Sequence, residues 1–142
     1  MGATALPYVV SFVLDESGDV LDGTPICDAI ERIDSGVRSA PLYYSISCVY
    51  PTVAQRALER AAERSLALAE RIVELKANGS PLHTNELVQL DHPEATDPER
   101  LAGLLWSLHE SHPALRVIGG CCGTDDRHIR ALAARMSRSA AS

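Results

Sequence analysis

The stretch VIGGCCGTDDRHIRAL, residues 117–132, reads as a strand, a sharp glycine turn and a helix in immediate succession. The run LRVIGG is short and apolar, as a buried strand requires. CCGT supplies the turn, and Thr124 is placed to cap a helix whose first turn carries Asp125 and Asp126, where the helix dipole favours acids. The same unit recurs upstream. Residues 8–14 (YVVSFVL) form a strand ending at the turn signals DESGD, and DGTP follows with Thr24 as cap and Pro25 at the first helical position. That helix, ICDAIERI, sets Ile26, Ala29, Ile30 and Ile33 on one face. Residues 41–48 (PLYYSISC) are the next strand, and Thr52 with Gln55 fits a capping box that opens the helix VAQRALERAAERSLAL. A third strand is expected over residues 71–77, before the breaker Asn78-Gly79-Ser80-Pro81. Asp97 then caps PERLAGLLWSLHE, whose core face is Leu101, Leu104, Leu105 and Leu108. Residues 137–142 form a tail expected to fray.

Strand and helix thus alternate four times without a long linker, which means an α/β fold with a parallel sheet and right-handed crossovers. Composition agrees: of 142 residues 46% are hydrophobic but only 4% aromatic, so Val, Ile, Leu and Ala must build the core. The formal charge of -6, with both signs interspersed, excludes the clustered basic face that a nucleic acid needs. No apolar run approaches the roughly 20 residues of a membrane span, and the N-terminal segment lacks a positive leader. A cytoplasmic protein acting on small molecules or other proteins is expected, with its cysteines reduced.

Those cysteines carry the chemistry. Cys48 ends the second strand and Cys121-Cys122 end the fourth, on the edge where parallel α/β folds build their sites. If the sheet curves into a barrel, alternate strands aim side chains at one place, and three sulfurs can converge. Three thiolates with one open position suit zinc in its catalytic rather than structural pattern. Gly120 and Gly123 would free the backbone to turn two neighbouring sulfurs inward. The spacing alone leaves three uses open: a zinc site, inert core cysteines, or a redox pair.

The run VIGGCCGTDDRHIRAL resembles the C-terminal signature of the zinc-dependent homocysteine S-methyltransferase family, GGCCG-[TS] followed by a helix bearing HI. ISCVYPT resembles the segment in which that family's first zinc-binding cysteine follows a strand, and VVSFVLDESGDVLDGTP and KANGSPLHTNEL resemble its connecting strands and loops. The resemblance implies the C-terminal half of a (β/α)8 TIM barrel, residues 1–136, made of four βα units. It implies Zn2+ on Cys48, Cys121 and Cys122, holding the thiol of homocysteine for attack on a methyl donor to give methionine. Two positions depart from the family pattern: Ser47 stands where Asn is usual, and Ser45 where Gly is usual. Ser47 and Asn78 are the candidate substrate contacts, with a turn role equally open for Asn78.

A closed barrel takes about 250 residues, and half of one would expose two strand edges and an apolar inner surface. The expected partner is an N-terminal half-barrel or a second copy of the chain. The alternative is a catalytically incomplete zinc- or thiol-binding half-barrel serving as a subunit or remnant. Elsewhere, Cys27 reads as a structural thiol, Trp106 as packing, His128 as a structural or capping residue within reach of Cys122, and His109 with His112 as a solvated pair. His83 and His92 are assigned no role.

Overall fold

A computed structural model describes residues 6–81 and 95–139. Four strands, β1 (Val10–Phe12), β2 (Tyr44–Val49), β3 (Ile72–Ala77) and β4 (Val117–Gly120), form one sheet in the order β1-β2-β3-β4. Every pairing is parallel. Each strand therefore lies beside its neighbours in sequence, which is the order of consecutive units in a barrel wall and is consistent with half a barrel. Helices α1 (Ile26–Gly36), α2 (Pro51–Arg64), α3 (Leu66–Ala69) and α4 (Pro98–Ser111) lie in the crossovers, and α5 (Asp126–Ser139) follows β4. None of the described helices is long and apolar enough to cross a membrane. The last helix runs to Ser139, past the point where fraying was expected.

Strand alternation divides the sheet into two chemically different faces. Phe12, Tyr44, Ile46 and Leu75 turn toward the helices and are buried with Ala54, Ala57 and Leu58 of α2 and Leu101, Ala102, Leu105 and Leu108 of α4. The side chains that α2 buries are mostly small, Ala54, Ala57 and Ala61 among them. The opposite face was expected to be apolar, and its centre is not. Ser11, Ser45, Ser47, Glu74 and Lys76 stand there in register across β1, β2 and β3. Exposed apolar side chains on that face belong to the outer strands and their ends, Val9, Val13 and Val117.

Three caps differ from expectation, for one reason each. Thr24 is drawn into a turn in which its N–H donates to Asp22 Oδ1, so Pro25 becomes the cap of α1. Pro51, with its φ fixed by the ring, starts α2 one residue before Thr52; Tyr50 caps it and no capping box forms. At α5, Thr124 Oγ1 donates to the Cys121 carbonyl, and it is Asp125 whose carboxylate accepts from the Arg127 N–H in the first turn. Asp97 caps α4 as expected, accepting from Glu99 and Arg100. Ser65 closes α2 and its hydroxyl accepts from Leu68, so residues 71–77 are free to be strand.

Candidate metal centre

Cys48 owes its position to an irregularity in β2. Ser47 pairs with Lys76 and Val49 with Ala77, so Cys48 is the extra residue of a bulge, and its φ of 57° is left-handed. It is the one non-glycine residue with positive φ among those described. Such a conformation costs an L-residue on the order of 1–2 kcal/mol. It turns the Cys48 side chain out of the regular alternation and toward β4.

The other two sulfurs come from the end of β4. Cys121 extends the ladder by donating its N–H to the Ala77 carbonyl at 2.7 Å, and the chain then turns through Gly123, whose φ is 73°. Gly120 serves by its size: a Cβ there would strike the Thr124 hydroxyl that closes the turn. Between the two cysteine-bearing ends, Asn78-Gly79 after β3 acts as a clamp. The Asn78 N–H donates to Val49 O, its Nδ2 donates to the Cys48 carbonyl at 3.0 Å, and the Gly79 N–H donates to Cys122 O at 2.8 Å.

The result is three sulfurs, Cys48, Cys121 and Cys122, within 4.8 Å of one another. The Cys121 and Cys122 sulfurs lie 4.0 Å apart, and those of Cys48 and Cys121 are hydrogen-bonded at 2.6 Å. With metal–sulfur bonds of about 2.3 Å, a tetrahedral site separates its sulfurs by about 3.8 Å. The first pair already fits; the second fits once Cys48 and Cys121 part by about 1 Å. The cluster could hold a metal ion, and its all-thiol donor set suits a soft or borderline one. Cys122 is exposed while the other two are half-buried, so the group is open to solvent on one side. Burial and the hydrogen bond with Cys121 push the Cys48 thiol up to about 12. Burial acts to raise Cys121 too, but hydrogen bonds from Cys48 and Cys122 outweigh it and hold that thiol below its ordinary value.

Of the candidate substrate contacts, Ser47 lies on the open face, its Oγ 2.7 Å from Ser11 Oγ, next to Cys48. Asn78 is buried and holds the Cys48 carbonyl. His128 is buried as a structural residue, but its partners are not the cysteines: Nε2 donates to the Thr96 carbonyl and Nδ1 meets Asp125. Thr96 is a rim residue that sequence reasoning passed over. It also meets Tyr50, and its N–H donates to Gly79 O, so three elements are tied together beside the site. His109 is not solvated as expected; its Nδ1 lies 2.8 Å from the Leu115 carbonyl, bridging the end of α4 to the approach of β4. Trp106 rests against that ring. His83 and His92 lie outside the described residues.

Cys27 is buried on α1 against the Ala61 carbonyl, and burial raises its thiol above the ordinary value. In the folded, metal-free chain, iodoacetamide is therefore expected to label Cys122 first and to leave Cys27 unmodified until the chain unfolds. Peptide mapping checks this; labelling of Cys27 at the rate of Cys122 would contradict the structure.

No curated protein sequence matches the chain. The family model for homocysteine S-methyltransferase matches residues 1–136, and thus takes in both cysteine-bearing strand ends. With parallel βα units in sequence order and a three-cysteine group at the ends of β2 and β4, the chain belongs to the homocysteine S-methyltransferase family.

Proposed function

We propose that the chain binds Zn2+ through Cys48, Cys121 and Cys122 and takes part in transfer of a methyl group to the thiol of homocysteine, giving methionine. The observation that carries this reading is the convergence of three sulfurs from two separate strand ends within 4.8 Å. Bound zinc would supply an electrophile that lowers the pKa of a coordinated thiol from about 8.5, making it a nucleophile at neutral pH.

The protein's own residues supply placement. The Asn78-Gly79 clamp fixes the two strand ends relative to each other, and the left-handed Cys48 aims its sulfur at the β4 turn. Ser47 is positioned to offer a hydrogen bond to the substrate beside the sulfurs. The substrate sulfur attacks the methyl carbon in line as the donor leaves with the bonding pair, and holding both in that line supplies much of the rate.

Exposed valines flanking β1, Val9 and Val13, and Val117 on β4 support a partner that continues the sheet: an N-terminal half-barrel or a second copy. Four free thiols support a reducing, cytoplasmic setting. The test is methionine formation from homocysteine with sulfonium, ammonium and folate donors, by the chain alone and with a candidate N-terminal half. One zinc per chain and turnover with at least one donor are expected. Bound zinc without turnover under any pairing would leave a zinc-binding subunit and remove the catalytic reading.

A further inference from the structure

The open face of the sheet carries a charge pair that its own packing does not require. Lys76 Nζ lies 3.1 Å from Glu74 Oε1 on the same face of β3, and the Glu74 side chain is 10% exposed against 49% for Lys76. Withdrawing a carboxylate from water is costly, and an ion pair with a half-exposed lysine returns little of that cost. Apolar side chains would line a purely structural face at least as well. What surrounds the pair is also polar: Ser47 Oγ lies 2.7 Å from Ser11 Oγ and 3.4 Å from Ser45 Oγ, forming a hydroxyl row beside the charges.

Position relates the pair to the sulfurs. Lys76 is in register with Ser47 on one side and Gly119 on the other. It therefore sits one residue below Cys48 and two below Cys121, about 3–7 Å along the strand direction at about 3.3 Å per residue. The thiol and α-carboxylate of an amino acid such as homocysteine are separated by about 5 Å. Glu74 lies two residues deeper, on the same face.

Building on the thiol-substrate reading above, we propose that Lys76 and Glu74 form the zwitterion-recognising site of this chain, Lys76 binding the α-carboxylate and Glu74 the α-ammonium of an amino acid whose thiol reaches the three cysteines. The substrate class is then a free amino acid thiol. Thiols lacking either charged group are discriminated against because they leave one member of the pair without its ligand partner. A ligand carrying both charges replaces the internal ion pair with two charge-assisted contacts.

Calorimetric titration of the zinc-loaded chain tests this, using homocysteine, the aminothiol of the same length without its carboxylate, and the thiol acid without its amine. The native chain is expected to prefer homocysteine about 10- to 100-fold over either analogue. Lys76→Met should erase the preference over the carboxylate-free aminothiol while binding that analogue as the native chain does; Lys76→Arg should keep the preference. Glu74→Gln should erase the preference over the amine-free acid. Each variant's zinc content and circular dichroism establish that the thiol site and fold persist. Equal binding of all three thiols by the native chain, or an unchanged preference in Lys76→Met, would overturn the assignment and leave the thiol reading standing. Zinc bound normally with no thiol binding at all would overturn both.

Discussion

On the proposed zinc reading, replacing Cys48 by alanine is expected to weaken zinc binding about a hundred- to a thousandfold and to abolish methyl transfer. A four-ligand zinc site is worth about 10–16 kcal/mol, so each ligand carries about 2.5–4 kcal/mol. The same position permits a sharper comparison, because Cys48 adopts a φ of 57°. Alanine keeps the Cβ and with it the left-handed penalty, whereas glycine removes both. Cys48→Gly should therefore lose zinc as completely as Cys48→Ala, yet fold more stably than Cys48→Ala by about 1 kcal/mol. Competition against a chromophoric chelator measures the first effect, and urea unfolding of the metal-free chains measures the second. Stoichiometric, tightly held zinc in Cys48→Ala would remove Cys48 from the ligand set. Equal stability of the two variants would mean that the bulge is not held in the left-handed region.

The second large effect is expected at Gly79. A Cβ there would collide with the Gly123 carbonyl oxygen and lie 2.7 Å from its carbon, both backbone atoms of the β4 turn. No flexible side-chain end is available to yield, so one of the two loops must move. The Gly79 N–H bond to Cys122 O lies across that gap and would be broken. Gly79→Ala should destabilise the chain by about 2–3 kcal/mol, as overpacking does, and should also weaken zinc binding because Cys122 moves away from Cys48. Gly36→Ala is the control: nothing lies within 4 Å of its added methyl, and stability should be unchanged or slightly raised. Thermal and urea midpoints of both variants, with zinc affinity for Gly79→Ala, decide the matter. If the two glycines tolerate alanine equally, the loops are not in contact.

What the sequence made legible was the alternation and the strand ends. Apolar or β-rich runs before turns located β1, β2 and β4, the breaker Asn78-Gly79-Ser80-Pro81 and the βα rhythm located β3, and the cysteines at the ends of β2 and β4 follow from that order. What it concealed was local backbone geometry. The segment Ser45-Ile46-Ser47-Cys48-Val49 contains no glycine to announce a positive φ, so irregular backbone was expected only at Cys121 and Cys122, beside Gly120 and Gly123, and not at Cys48. Three threonines looked like caps, but a neighbouring aspartate, a proline ring or a turn carbonyl captured the roles. The polar centre of the open face was readable in SIS and ELK only once β2 and β3 were known to be paired, because alternation assigns faces within a strand and pairing aligns them between strands. His128 likewise shows only its local partner Asp125 in sequence, since Thr96 stands 32 residues away.

The separation of the sulfurs bears on how the chain reaches its final state. Cys48 and Cys121 are 73 residues apart, and β3 lies between their strands in the sheet. Adjacent units can associate with little loop-closure entropy, but these thiols meet only when β2, β3 and β4 have all docked in register. On the proposed zinc reading, metal capture by the full set of thiols would thus be a late event in assembly. A zinc-dependent signal during refolding would time the closing of the last strand, and chains arrested before it would remain distinguishable by their unprotected thiols.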